Sequence, residues 1–440
     1  MYEIVIGRSP AETEKHGLTG TFLLGKHYVT MGQTESLSNE VRMDVAKSHV
    51  VSVFGKRGSG KSYTMGDIAE GMMSLPSEIT RNLSVIMLDT MGIYWTMKFP
   101  NNRDQELLAE WNMKPEGMNV VIYTPKGFYK SYREKGIPTD HPFSIKPNDL
   151  DASDWTSIFR VESTHPVGVL IQKVIGILKA KSPDFSLQDV VMAIQAEPNA
   201  SKDAKDAAGN LFRLAESWGL FDVSGTHISE LASAGQITIL DVSCYATSQS
   251  STELRALVIG LVSQKLFNER MVLRKSEEYR QIHEEINYLS EEDSEQEKEM
   301  PLTWLIIDEA HEFLPVEGST LATKPLITIL REGRQPGVSL VLASQQPGKI
   351  HTDVLTQSDI VIAHRITAKI DIDALGLLMQ SYLRAGLDKL INELPRVTGA
   401  ALVFDDTNER IYPIQVRPRI TWHGGSAPSP VYQKKTLFEF

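Results

Sequence analysis

Two stretches far apart in the chain carry residues suited to phosphate chemistry. Gly55-Lys-Arg-Gly-Ser-Gly-Lys-Ser62 has the spacing G-x-x-x-x-G-K-[ST]. Its glycines let the backbone turn tightly, so that successive N–H groups converge on phosphate oxygens. The cradle comprises Gly55, Lys56, Arg57, Gly58, Ser59, Gly60, Lys61 and Ser62. Lys61 would reach the β- and γ-phosphates of ATP, and the Ser62 hydroxyl would bind Mg2+. The second stretch, Leu302-Thr-Trp-Leu-Ile-Ile-Asp-Glu-Ala-His311, is an apolar strand ending in two carboxylates. A strand buried in a sheet delivers such residues to the ligand crevice at its C-terminal end. Asp308 would hold Mg2+ opposite Ser62, and Glu309 would polarise the water that attacks the γ-phosphate. A glutamate directly after the strand aspartate points to hydrolysis.

Three further groups suit a transition state rich in negative charge. Val338-Ser-Leu-Val-Leu-Ala-Ser-Gln-Gln-Pro347 is a strand ending in amides. Gln345 or Gln346 could hydrogen-bond the γ-phosphate and report its loss, and Gln345 is the better placed. Arg331 and Arg334 lie at a helix end just upstream. A planar guanidinium supplied by a neighbouring subunit neutralises charge on the γ-oxygens, and the alternative for both is an ordinary surface or interface salt bridge. His311, beside the acids, either couples the site to a neighbour or simply packs.

The elements that must hold these residues are readable too. His49–Phe54 reads as a buried strand before the cradle. A helix follows it, with Met65, Ile68, Ala69 and Met72 on one face. Short apolar runs at Leu83–Leu88, Ile237–Leu240, Trp304–Ile307, Val338–Ala343 and Ile360–Ala363 lack alternation. That pattern suits a mostly parallel sheet covered by helices on both faces, an α/β fold of the RecA-like P-loop kind. Residues 150–232 look mostly helical and read as an insertion between strands. Residues 276–300 are Glu-rich and read as a solvated or disordered excursion.

Composition sets the outer bounds. The chain has 440 residues, a formal net charge of -11 and one cysteine, Cys244. A single thiol makes neither an internal disulfide nor a zinc cage, which fits a reducing cytoplasm. No run of about 18 apolar residues indicates a membrane span, and the N-terminus has no secretory pattern. The acidic balance argues against a surface that coats nucleic acid everywhere. A locally basic channel is still compatible, because phosphate attraction acts within roughly 10 Å.

With these motifs in order, the sequence resembles the HerA–FtsK superfamily of ring-forming DNA-pumping ATPases, and HerA more than FtsK. Lys47–Gly55, Trp218-Gly-Leu-Phe221, Gly235–Ser243, Arg331–Pro347, Asp353–Asp359, Val416-Arg-Pro-Arg419 and His423-Gly-Gly425 carry the likeness. The resemblance implies a homo-hexameric ring with ATP at subunit interfaces, double-stranded DNA in the pore, and a partner nuclease or other effector in DNA end processing or phage defence. The basic tail of Arg417, Arg419, Lys434 and Lys435 could bind DNA, whereas the resemblance implies that it latches onto a neighbouring subunit. Two departures stand out. The N-terminal β-barrel of such proteins would be abbreviated to residues 1–46 or absent. The family's D-x-x-G-E-Y acid is replaced by Ile93 in Asp89-Thr-Met-Gly-Ile-Tyr94, leaving Asp89 to assist the metal or the water.

The expected organisation is a short β-rich segment (1–46), a first core part (47–149), the helical insertion (150–232), a second core part (233–425) and a tail (426–440). The expected activity is ATP-driven translocation on double-stranded DNA. The alternatives are a nucleotide-gated scaffold for an effector, or a pump of the conjugation or packaging type.

Overall fold

The computed structural model describes residues 3–31, 34–182, 184–248, 251–287, 300–376 and 387–425. Its strands are β1 (Ile4–Ile6), β2 (Thr21–Met31), β3 (Thr34–Asp44), β4 (Val50–Phe54), β5 (Leu83–Asp89), β6 (Val120–Pro125), β7 (His141–Phe143), β8 (Ile237–Asp241), β9 (Leu302–Ile307), β10 (Val338–Ser344), β11 (Ile360–His364), β12 (Ala400–Asp405) and β13 (Arg410–Val416). They form one sheet, ordered β1-β3-β2-β13-β12-β11-β4-β10-β9-β5-β8-β6-β7. From β11 to β7 every pairing is parallel. This is the α/β, mostly parallel architecture expected from the unalternating apolar runs.

The absence of alternation has a direct cause. Ile86 and Leu88 of β5 join one apolar core, while Val85 and Met87 join another across the sheet. In β10, Leu340 and Leu342 divide from Val341 and Ala343 in the same way. Both faces are covered, so both faces must be apolar.

Helix α1 (Lys61–Met73) follows the cradle and packs Met65, Ile68, Ala69 and Met72 into one core. Between β7 and β8, helices α2 (Ala152–Ile158), α3 (Pro166–Lys181), α4 (Leu187–Ala196) and α5 (Lys202–Ser217) pack into the other. Ser186 and Ser201 cap α4 and α5 by accepting from the Asp189 and Ala204 amides, which satisfies N–H groups that a helix start otherwise leaves bare. Trp155 of α2 anchors the group, 4.9 Å from Phe212 and 5.0 Å from Phe221 between ring centres.

Helix α6 runs from Ser251 to Asn287. The Glu-rich segment expected as an excursion from 276 is therefore helical as far as 287, and residues 288–299 lie outside the described residues. Helix α7 (Thr323–Glu332) leads into β10. The first strands are not set apart from the core sheet: β2 pairs antiparallel with β13, Gly25 opposite Val416. A side chain at Gly25 would run into the Gln415 carbonyl, so this pairing requires a glycine there. No described helix is long and apolar enough to cross a membrane.

Candidate active site

Four parallel strands bring the chemistry together at their C-terminal ends. The cradle leaves β4, Asp308 and Glu309 leave β9, Gln345 leaves β10, and Asp89 ends β5. In sheet order these strands are neighbours, β4-β10-β9-β5. Residues separated by hundreds of positions in sequence therefore meet.

The Ser62 hydroxyl donates to Asp308 Oδ2 at 2.9 Å, and the Glu309 amide donates to Asp308 Oδ1 at 2.8 Å. Lys61 is buried and reaches back to the Lys56 carbonyl at 3.5 Å. Burial lowers the Lys61 ammonium pKa below its ordinary value, against the pull of Glu309 and Asp308. Gly58 and Gly60 adopt φ of +75° and +120°, values that side chains of L-residues rarely tolerate.

Glu309 is held unusually. Its backbone is left-handed, with φ of +51°, an uncommon conformation for a glutamate. The Gln345 amide donates to its Oε1. Its Oε2 is buried without a hydrogen-bond partner and lies 3.5 Å from His311 Nδ1. Burial, and then Asp308, raise the Glu309 pKa. His311 also lies 3.2 Å from the Ser344 hydroxyl. Gln345, expected to face a γ-phosphate, thus faces Glu309, while Gln346 uses its backbone amide on Ser344.

The arginines lie elsewhere. Arg331 and Arg334 precede β10, at the end of the strand opposite Gln345 and, at about 3.3 Å per residue, roughly 20 Å away. Arg331 is 59% exposed and pairs with Asp353 at 2.7 Å; Arg334 is exposed. Neither reaches the cradle of its own chain.

Asp89, expected near the metal or the water, is occupied otherwise. Its Oδ1 accepts from the Met91 and Gly92 amides at 3.1 and 2.7 Å, and its Oδ2 from the Tyr94 amide at 2.9 Å. Burial pushes its pKa up to about 7, helped by Asp241, its neighbour in register on β8. It shapes the turn that delivers Tyr94.

Three groups were not legible as site residues in the sequence. Tyr94 brings its hydroxyl to 3.4 Å from Asp308 Oδ2. His364, at the end of β11, lies under the cradle, with Nε2 2.9 Å from the Thr64 hydroxyl and Nδ1 3.2 Å from the Ala400 carbonyl. Burial lowers its pKa to about 4, so the ring is neutral. The third group corrects an expectation: Arg417 and Arg419 do not reach outward. Arg419 donates to Glu70 Oε1 at 2.8 Å and Arg417 to Glu70 Oε2 at 3.3 Å, all buried against α1. Arg417 also lies 3.2 Å from Asp67, a contact whose angle is too poor for a hydrogen bond. A period-3.6 reading would have flagged Glu70 as a charge in a buried helix, but not its partners.

The family described as "Helicase HerA, central domain" matches residues 26–266, more than half of the chain. The HerA protein of Methanocaldococcus jannaschii, named as a DNA double-strand break repair helicase, is 30% identical over 166 residues, covering 36% of this chain and 30% of that protein. HerA of Pyrococcus furiosus is 33% identical over 112 residues, covering 26% and 19%. The matched regions thus span less than a third of either relative. VirB4 of Thermoanaerobacter pseudethanolicus superposes with a TM-score of 0.53 over 91% of this chain and 97% of that one, at 14% identity, a likeness of fold. By its matched sequence, and with the strand-end geometry just described, the chain belongs to the family of the HerA helicase central domain.

Proposed function

We propose that the chain is an ATPase that moves along double-stranded DNA. The observation that carries this reading is the 2.9 Å contact between Ser62 and Asp308, which joins the phosphate cradle to the strand-end acids. The residues fit a nucleotide with Mg2+: the glycines at positive φ leave a cradle free of side chains, and a hydroxyl and a carboxylate converge as hard oxygen donors. Ser62 and Asp308 would hold Mg2+, which supplies positive charge against the phosphates when bound.

The chain's own groups do the rest. Backbone amides of Gly58–Ser62 and the Lys61 ammonium bind and orient the phosphates. Glu309, released from Gln345, orients the attacking water and accepts its proton as the water oxygen bonds to the γ-phosphorus and the β–γ bridge breaks. Gln345 is placed to exchange Glu309 for a γ-phosphate oxygen, so it reads the nucleotide state. Arg331 or Arg334, remote from their own cradle, would complete the site of a neighbouring subunit, which makes a ring, most simply a hexamer, part of the proposal. Duplex DNA as track and a nuclease or other effector as partner follow from the family relationship.

The test is turnover with and without duplex DNA. ATP hydrolysis should rise on adding linear duplex and fall to background in Lys61→Ala. Wild-type protein should displace a protein block from duplex DNA. Hydrolysis and ATP-dependent assembly without displacement would favour a nucleotide-gated scaffold instead.

A further inference from the structure

Resting on the nucleotide site proposed above, we infer that Tyr94 is a positioning residue for the metal-binding carboxylate, its phenol fixing Asp308 Oδ2 while the Glu309 amide holds Oδ1. Asp308 Oδ1 is held by the Glu309 N–H at 2.8 Å. Asp308 Oδ2 accepts from Ser62 at 2.9 Å and from the Tyr94 hydroxyl at 3.4 Å. Ser62 is itself a metal-facing group. Tyr94 is therefore the side chain that restrains Oδ2 without also binding the cation. Carboxylates that ligate metals hold their geometry through such outer hydrogen bonds.

A packing role alone does not account for the hydroxyl. The ring is 2% exposed within an apolar core, where phenylalanine would pack as well and bury no polar atom. Besides Asp308, the phenol oxygen meets the Met65 sulfur at 3.5 Å, a weak acceptor, and the Ser62 hydroxyl. A buried phenol needs a partner for its proton, and among the described residues the charged acceptor it meets is Asp308. A phenol is protonated at neutral pH, so the oxygen remains a donor.

The turn leading to Tyr94 is built for this placement. Asp89 receives the amides of Met91, Gly92 and Tyr94. Gly92 has φ of +69°, and a Cβ there would stand 2.6 Å from the Ser243 hydroxyl. The motif Asp89-Thr-Met-Gly-Ile-Tyr94 therefore serves the metal site through its last residue.

The test uses the full chain and the fluorescent nucleotide mant-ATP, titrated in EDTA and then with increasing Mg2+. Tyr94→Phe should leave the EDTA affinity and the metal-free melting temperature unchanged. The Mg2+ concentration at half-effect should rise about tenfold, the lower range for loss of an outer hydrogen bond at a metal ligand. An unchanged Mg2+ midpoint would overturn the proposal. So would equal weakening with and without metal together with a lower melting temperature, the mark of a merely structural ring. Asp308→Asn, run alongside, separates two failures. If it shifts the Mg2+ midpoint and Tyr94→Phe does not, only the role of Tyr94 falls. If neither shifts it, the metal assignment falls and takes this proposal with it.

Discussion

Strand β4 carries a buried charge cluster at each end, and the two are finished to different degrees. At its start His49 sits between carboxylates, Nε2 3.1 Å from Asp44 and Nδ1 2.6 Å from Asp359. Asp44 in turn accepts from Arg8, whose Nη1 and Nη2 also donate to the Gly17 and Thr19 carbonyls at 2.7 and 2.8 Å. Asp359 also accepts from the Val50 amide at 2.9 Å. At the other end Lys61 finds a long contact to a carbonyl, Glu309 leaves Oε2 without a partner, and its backbone is left-handed. A buried polar group costs free energy unless it is paired. The first cluster is closed and holds the N-terminal strands on the core. The second keeps its deficits where phosphates and a cation would meet them.

The comparison breaks most visibly at Glu309. Glu309→Gln removes the proposed proton acceptor and its negative charge while preserving size. Turnover should fall by about 10²–10⁴-fold, the usual worth of a positioned general base, with nucleotide binding retained. The amide spares the protein a buried carboxylate, so stability should hold or rise. Turnover near the wild-type rate would show that another group activates the water.

The closed cluster should answer to pH instead. Burial alone would lower the His49 pKa, but Asp359 and Asp44 carry it up to about 9. A group whose pKa is raised on folding stabilises fully below its unfolded value, and that contribution disappears as pH rises through the folded value. Between pH 6.5 and about 9.5 the wild type should lose about 3 kcal/mol, at 1.36 kcal/mol for each pKa unit. His49→Gln, which cannot ionise, should start less stable at pH 7 and lack this step. Parallel denaturation profiles for the two proteins over that range would refute the assignment.

How much of this was visible in the sequence follows from the same contrast. The cradle, Asp308 and Glu309 were legible because phosphate chemistry constrains residue type at fixed spacing, and the flanking apolar runs announced the parallel sheet. Strands β12 and β13 and the pairing of β2 with β13 were not, because antiparallel partners are set by tertiary register and leave little local mark. The closed cluster was invisible for a similar reason. Arg8, Asp44, His49 and Asp359 are ordinary polar residues beside strand ends, and only the topology makes them neighbours. His364 escaped because a residue closing an apolar run reads as core, and Tyr94 was visible as a motif residue without a role, because its contact with Asp308 is set by the turn that Asp89 shapes. Arg417 and Arg419 read as a basic tail, although their compensating charge lay in α1.

Two glycines with nearly the same φ sharpen the contrast further. Gly7 and Gly58 have φ of +78° and +75°, so alanine at either should suffer a similar conformational penalty, about 1 kcal/mol. Their surroundings differ. A Cβ on Gly58 meets nothing within 4 Å, whereas one on Gly7 would stand 2.8 Å from His49 Cε1 and 2.9 Å from Ile360 Cδ1. Gly7→Ala must therefore add the cost of overpacking a filled interior, about 1–3 kcal/mol. Chemical denaturation of both variants should show Gly7→Ala the less stable by that margin, with nucleotide affinity in Gly58→Ala reduced no more than about fivefold, the equivalent of 1 kcal/mol. Equal losses of stability would mean that the Arg8–Asp44–His49–Asp359 cluster is as loosely filled as the cradle. The distinction between a finished end and an open end of β4 would then have to be given up.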